Sequence, residues 1–182
     1  LTDSGVDAFA IARLLETAVT ERGVKLLDLL EKSPVLLVFL RHAGCTFCRE
    51  ALSDIADTRA AIEADGTRIV LVHMGDRAEI ERVVNKYGVA HLERIADPKQ
   101  ELYRAFGLRR GNWWQLFGPK TWWRGLIAGW LKGHGVGRPS ADPAQMPGVF
   151  LIDQGRVVSR YRHSSAADRP SYIEICEIGR GQ

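Results

Sequence analysis

The chain has 182 residues, 46% of them hydrophobic and 26% charged, with a net charge of +3. That is enough chain for one domain with a sizeable core, of ordinary composition for a soluble globular protein. So small a charge gives no ground for nucleic-acid binding, and no apolar run approaches the roughly 20 residues that cross a bilayer. Three cysteines, an odd number in a chain too large to need disulfide staples, point to a reducing, cytoplasmic setting with one functional pair and one spare thiol. No secretory signal, internal repeat or low-complexity tract is visible.

In chain order, Val6, Phe9, Ala10, Leu14 and Ala18 set a helix over 6–18. Residues 20–24 read as a turn between two short extended pieces, and 28–31 as one helical turn before Pro34. Residues 34–40 are short, apolar, β-branched and aromatic, the pattern of a fully buried strand. Helical spacing follows over 45–64, with Phe47, Ala51, Ile55 and Ile62 on one side and Gly66 as the stop. Residues 68–73 are a second buried strand. Asp76 is the N-cap of a helix over 77–86 that Gly88 closes. Ile95-Ala96 is a short edge strand, and Asp97-Pro98 opens a helix over 99–106 with Pro98 in its first turn. Residues 148–152 are a strand, 153–156 a hairpin turn and 157–161 the returning strand. Pro170 opens a last helix running to about Ile178. Strands separated by helices must pair in parallel, whereas the hairpin must be antiparallel. The expected fold is therefore α/β with a mixed central sheet.

Cys45 and Cys48 stand where the first buried strand gives way to its helix. A thiol is nucleophilic only as thiolate, and a helix N-terminus offers partial positive charge and unpaired N–H groups that favour the anion. Arg41 and Arg49 add formal positive charge nearby. A three-residue spacing on a helix puts both sulfurs on one face, close enough for a small disulfide ring. One Cys-x-x-Cys supplies two ligands where a structural zinc site wants four, and Arg49 rather than histidine follows Cys48, which excludes haem attachment. The pair therefore reads as redox chemistry, with no metal and no cofactor. His42 is either a base or charge partner for the thiol or an exposed loop residue. Arg160 and Arg162 are weaker candidates for the site, and Cys176, between Ile175 and Ile178, reads as a buried, inert thiol.

The stretches FLRHAGCTFCREALSDIA (39–56), ADPKQELYRAFGL (96–108), PGVFLID (147–153) and YRHSSAADRPSYIEI (161–175) resemble the peroxiredoxin-like branch of the alkyl hydroperoxide reductase/thiol-specific antioxidant (AhpC/TSA) family, within the thioredoxin superfamily. The resemblance implies a thioredoxin-like three-layer α/β/α fold and a thiol-based redox role. It also implies that Pro147, after Met146, is the cis-proline packed beside the cysteine pair. One departure stands out: typical peroxiredoxins carry Pro-x-x-x-Thr-x-x-Cys, and Cys45 takes the place of that threonine. In a thioredoxin-type register Cys45 attacks and Cys48 resolves; in a peroxiredoxin-type register Cys48 holds the attacking place. The helix-end argument favours Cys45.

One domain is expected over residues 1–182, carrying a Trp-rich helical insertion at about 108–145. All five tryptophans lie within residues 113–130, and residues 107–140 hold six Arg or Lys and no Asp or Glu. Ordinary loops have a median of about 4–6 residues, so a segment of this length needs its own explanation. Residues 121–132 have the pattern of an apolar-faced helix, read as a lid or satellite helix, a partner dock or, last, a membrane-resting surface.

Three functions fit. The first is a thiol enzyme, Cys45–Cys48, reducing peroxides through a sulfenic acid and an intramolecular disulfide that a thioredoxin- or glutathione-type donor reduces. The second is an oxidoreductase acting on protein disulfides. The third is a redox-gated binding module in which the Trp-rich segment holds a partner. Arg41, His42 and Pro147 complete the expected site, and the oligomeric state is left open.

Overall fold

The protein was examined as a computed structural model, which describes residues 8–41, 45–111, 142, 144–165 and 168–180. Helices α1 (Ala8–Thr17) and α2 (Leu26–Leu30) lead into strand β1 (Val35–Phe39) and the long helix α3 (Thr46–Ala64). Strand β2 (Arg68–His73), α4 (Arg77–Lys86), β3 (Glu93–Ala96) and α5 (Glu101–Ala105) follow. The chain ends with β4 (Gly148–Asp153), β5 (Arg156–Arg162) and α6 (Tyr172–Arg180). The five strands form one sheet in the order β3-β2-β1-β4-β5. β1 pairs in parallel with β2 and antiparallel with β4, so the sheet is mixed as the connections require.

Strand alternation divides the core into two layers. Leu36, Val38 and Leu40 face α3, α4 and α6, against Leu52, Ile55, Val84 and Ile175. Val35, Leu37 and Phe39 face the other way, onto α1, α2 and α5, where Phe39 meets Tyr103, Phe106 and Phe150 at ring distances of 5.0, 5.2 and 5.6 Å. This is a three-layer α/β/α fold with β1 at its centre. The β1 residues are buried along the whole strand, which explains the unbroken apolar run in the sequence.

The punctuation follows the local chemistry. Asp76 caps α4 through its carboxylate, which accepts from the Glu79 N–H at 3.1 Å. The β4–β5 turn places Gln154 (φ 47°) and Gly155 (φ 75°) both in the left-handed region, the requirement of a two-residue hairpin that matches strand twist. Helix α5 is shorter than the expected 99–106. Pro98 and Lys99 form a turn, Gln100 adopts φ 57°, and the Asp97 carboxylate collects the N–H groups of Glu101, Leu102 and Tyr103 at 2.9, 2.8 and 3.3 Å. Capping by Asp97 from four residues upstream delays the helix start.

The Met146–Pro147 peptide is trans, which corrects the isomer that the resemblance implied; the described residues contain no cis peptide. Trans is the lower-energy isomer of an X–Pro bond, and here it carries the chain directly into β4. Around it, the Gln145 side-chain amide donates to the carbonyls of Leu108 and Met146 at 2.9 and 3.2 Å. Arg110 and Gln145 form an antiparallel bridge, supported by Gly111 N–H to Ala144 carbonyl at 2.7 Å and Met146 N–H to Arg109 carbonyl at 3.2 Å. The two ends of the inserted segment are therefore fastened together beside Pro147. The Trp-rich helix expected over 121–132 lies outside the described residues.

Candidate active site

The cysteines open α3 as the apolar pattern predicts. Cys45 is the N-cap, with extended backbone (φ −75°, ψ 123°), and Cys48 lies in the first turn. Both are buried, at 7% and 4% exposure, so exposure does not separate them. Arg41, just past the end of β1, reaches both. Its backbone N–H donates to the Cys48 sulfur at 3.1 Å and its guanidinium Nη1 to the Cys45 sulfur at 3.6 Å. Arg41 is itself buried, which raises the worth of its charge to a neighbouring sulfur relative to water. All three cysteines are thiols, with no disulfide among the described residues.

A cavity of about 20 Å³ lies against Cys48, with room for roughly one water-sized molecule. Cys48 lines it, together with Arg41, Glu50 and Asp54 on one side and Pro147, His163 and Arg169 on the other. Gly148 follows Pro147 at a close approach: a Cβ there would come within 2.6 Å of the Leu108 side chain. Burial pushes His163 down from 6.5 to about 4, Asp168 opposing and Arg41 assisting, so the imidazole is neutral near pH 7. Among the described residues its buried Nδ1 has no hydrogen-bond partner. Burial works against the charge of Asp168. Hydrogen bonds from Ser164 and Ser165 outweigh it and hold that carboxyl well below the usual carboxylate range.

Of the residues expected from sequence, Arg41, Cys45, Cys48 and Pro147 come together here. His42 lies outside the described residues. Arg49 points toward α4, in a surface cleft with Glu79, Arg82 and Lys86, rather than into the cavity. Arg162 turns to the opposite face of β5, where its guanidinium donates to the Phe106 carbonyl at 3.2 Å and lies over the Phe150 ring at 5.8 Å. Strand alternation instead presents His163 to the site. Cys176 is buried in the same core layer as the pair but does not line the cavity. Glu50, Asp54, His163, Asp168 and Arg169 escaped the sequence reading. For His163, Asp168 and Arg169 the signal was the density of His, Ser, Asp and Arg in 163–169, ahead of Pro170. No group of three or more metal-ligating side chains occurs among the described residues.

A cysteine pair at the junction of a central parallel strand and its helix, in a mixed five-stranded sheet, defines a thioredoxin-fold thiol protein. The sequence model of the AhpC/TSA antioxidant enzyme family matches residues 54–166, beginning just after the pair. Peroxiredoxin-like 2C of Mus musculus is 29% identical over 157 residues, covering 81% of this chain and 69% of that protein. Among solved structures, peroxidoxin BcpB of Mycobacterium tuberculosis superposes with a TM-score of 0.62 at 14% identity, covering 90% of each chain. A secreted Mycobacterium tuberculosis disulfide oxidoreductase homologous to Escherichia coli DsbE gives 0.56 at 16% identity, covering 93% of this chain and 98% of that one. The chain belongs to the AhpC/TSA antioxidant enzyme family. It is a thiol-dependent oxidoreductase.

Proposed function

We propose that the protein reduces small hydroperoxides, with Cys48 as the sulfur that meets the oxidant. The observation that carries this reading is the cavity: it touches Cys48 and not Cys45, and it holds roughly one water-sized molecule. The helix-end argument favoured Cys45; the lining of the cavity, which includes Cys48, supports Cys48 instead. This is also the peroxiredoxin-type register, with Cys45 in the place of the family's threonine.

In the first step the Cys48 thiolate attacks one peroxide oxygen and the O–O bond breaks. The sulfur becomes a sulfenic acid, and the departing alkoxide or hydroxide takes a proton to leave as alcohol or water. In the second, the Cys45 thiolate attacks the sulfenic sulfur, a disulfide forms and water leaves. A thiol donor, either one dithiol of thioredoxin type or two molecules of a glutathione-type monothiol, then reduces the Cys45–Cys48 disulfide, returning both thiols and leaving as the donor's own disulfide. Arg41 serves both stages: its N–H donates to Cys48 and its guanidinium favours the Cys45 anion. His163 lines the cavity with Cys48, and its neutral imidazole is a candidate hydrogen-bonding group for a peroxide there.

The test is turnover. Reduced protein is supplied in turn with hydrogen peroxide, an organic hydroperoxide and an oxidised protein disulfide, with a thioredoxin system regenerating it. Sustained consumption of hydrogen peroxide is expected. Turnover on the protein disulfide alone would overturn the reading in favour of disulfide exchange, and a single oxidation without turnover would favour a redox-gated binding module.

A further inference from the structure

The cavity has two rims that come from distant parts of the chain. One is the first turns of α3, with Glu50, Ala51 and Asp54; the other is Asp168-Arg169-Pro170, just before α6. Arg169 joins them. Its Nε donates to Asp54 Oδ2 at 2.6 Å, its Nη2 donates to Asp54 Oδ1, and its Nη1 lies 3.6 Å from Glu50 Oε1. Two parallel bonds from a planar guanidinium fix direction as well as distance. The neighbouring residue fastens the same rim to its own loop. Asp168 Oδ2 accepts from the Ser164 hydroxyl at 2.7 Å and from the Ser165 N–H at 3.0 Å, and Oδ1 accepts from the Ser165 hydroxyl at 2.8 Å. Consecutive residues thus tie the rim backward to the loop and across to the opposite wall.

The energy of such a bridge is modest. The Arg169 side chain is 43% exposed, and an exposed ion pair contributes about 0–1 kcal/mol to stability. Its geometric consequence is larger, because it closes a space that already holds only one small molecule. Among the described residues, the bridge and the buried Cys48 line the same cavity.

We propose that the Arg169–Asp54 bridge is a size gate that restricts the Cys48 pocket to small oxidants, and that Arg169 and Asp54 are specificity-determining residues. The inference rests on Cys48 being the sulfur that meets the oxidant. With the bridge intact, hydrogen peroxide enters and bulky hydroperoxides are held out. With it broken, the rims part and the discrimination falls.

The test reads access to Cys48 directly, in the reduced full chain carrying Cys45→Ser and Cys176→Ser. Rates of alkylation by iodoacetamide and by fluorescein maleimide are compared for the intact bridge, Arg169→Ala and Asp54→Asn, with the adduct located by peptide mass mapping. The maleimide-to-iodoacetamide ratio is expected to rise up to about fivefold in each bridge variant, the equivalent of up to about 1 kcal/mol of lost discrimination. The double variant Arg169→Asp with Asp54→Arg restores an ion pair and is expected to return the ratio toward its starting value. In the protein with all three cysteines, the ratio of kcat/KM for cumene hydroperoxide over hydrogen peroxide should move with the alkylation ratio.

Far-UV circular dichroism and melting temperature establish that each variant is folded. If a single variant does not fold, the comparison between the other single variant and the charge-swapped pair decides. An unchanged alkylation ratio in folded variants would overturn the gate. A shifted alkylation ratio in a protein that turns over no peroxide would leave the gate standing and remove the peroxide reading instead.

Discussion

The backbone N–H of Arg41 donates to the sulfur of Cys48 over 3.1 Å. Arg41 lies two residues past the end of β1 and Cys48 in the first turn of α3, so the contact joins the end of the central strand to the start of its helix. A main-chain donor cannot be removed by changing the side chain. Cys48 therefore keeps this hydrogen bond in any Arg41 variant that folds, whereas Cys45 loses the guanidinium.

Single cysteine variants should separate the two sulfurs. Cys48→Ser is expected to lose even the first oxidation by hydrogen peroxide. Cys45→Ser should retain one oxidation per chain and stall as a sulfenic acid, trapped with dimedone and seen by mass spectrometry. If Cys45→Ser loses the single-turnover reaction while Cys48→Ser keeps it, the attacking order is the reverse and the thioredoxin-type register holds.

Arg41→Met should slow formation of the disulfide more than formation of the sulfenic acid. The guanidinium that donates to Cys45 is buried, and a hydrogen bond to a charged group contributes about 1.5–3 kcal/mol, or roughly a 10- to 100-fold change in rate. The lifetime of the Cys48 sulfenic acid, followed by dimedone trapping in rapid quench, is the measurement. An unchanged lifetime in a folded variant would mean that the guanidinium does not assist Cys45.

The difference between what the sequence revealed and what it hid is one of range. Element order, the mixed sheet and the cysteine pair at the strand–helix junction were readable, because they follow from runs of adjacent residues: the apolar stretch 34–40, the helical spacing after Cys45, the turn at 153–156. The far wall of the cavity was not readable. Arg169 meets Asp54 across 115 positions, and nothing in either local stretch specifies that meeting. The facing of Arg162, a weak candidate for the site, was hidden for a different reason. His163, immediately past β5, and the strand residue Arg162 belong to opposite faces, and the face assignment depends on register with β4, including a shift between Leu151 and Ile152. The late start of α5 needed knowledge that Asp97 caps from outside the helix rather than Pro98 opening it.

Tyr103→Phe should destabilise the fold without touching the cysteines. The Tyr103 hydroxyl is fully buried and donates toward the carbonyls of Leu40 and, at 3.1 Å, Val72, at the ends of the two central parallel strands. Losing it leaves the Leu40 acceptor buried, at a cost of about 1–3 kcal/mol. Urea titration of the wild type and the variant measures the difference. A variant of wild-type stability would show that these carbonyls are satisfied without the phenol.

Acid should unfold the site in two successive windows, set by two neighbours. His163 is held down from 6.5 to about 4, chiefly by burial. Between those values the unfolded chain binds a proton that the folded one refuses, so stability falls as pH drops through the window. At about 1.4 kcal/mol per unit, the loss from this one group is at most roughly 3.5 kcal/mol. Asp168 behaves differently. Its folded carboxyl lies well below the ordinary value of 3.8, because the hydrogen bonds from Ser164 and Ser165 outweigh the burial that opposes its charge. Its contribution is therefore intact above the ordinary carboxylate range and is lost only as pH falls below it. His163→Gln should flatten the stability profile between about pH 6.5 and 4 and leave the steeper acid limb in place. Asp168→Asn should lower stability at neutral pH, and its deficit relative to the wild type should shrink in strong acid. Chemical denaturation at pH 7, 5, 4 and 3 distinguishes the two. A His163→Gln profile parallel to that of the wild type would show that the imidazole titrates normally, and an Asp168→Asn deficit independent of pH would show that the Ser164 and Ser165 bonds do not depend on its charge.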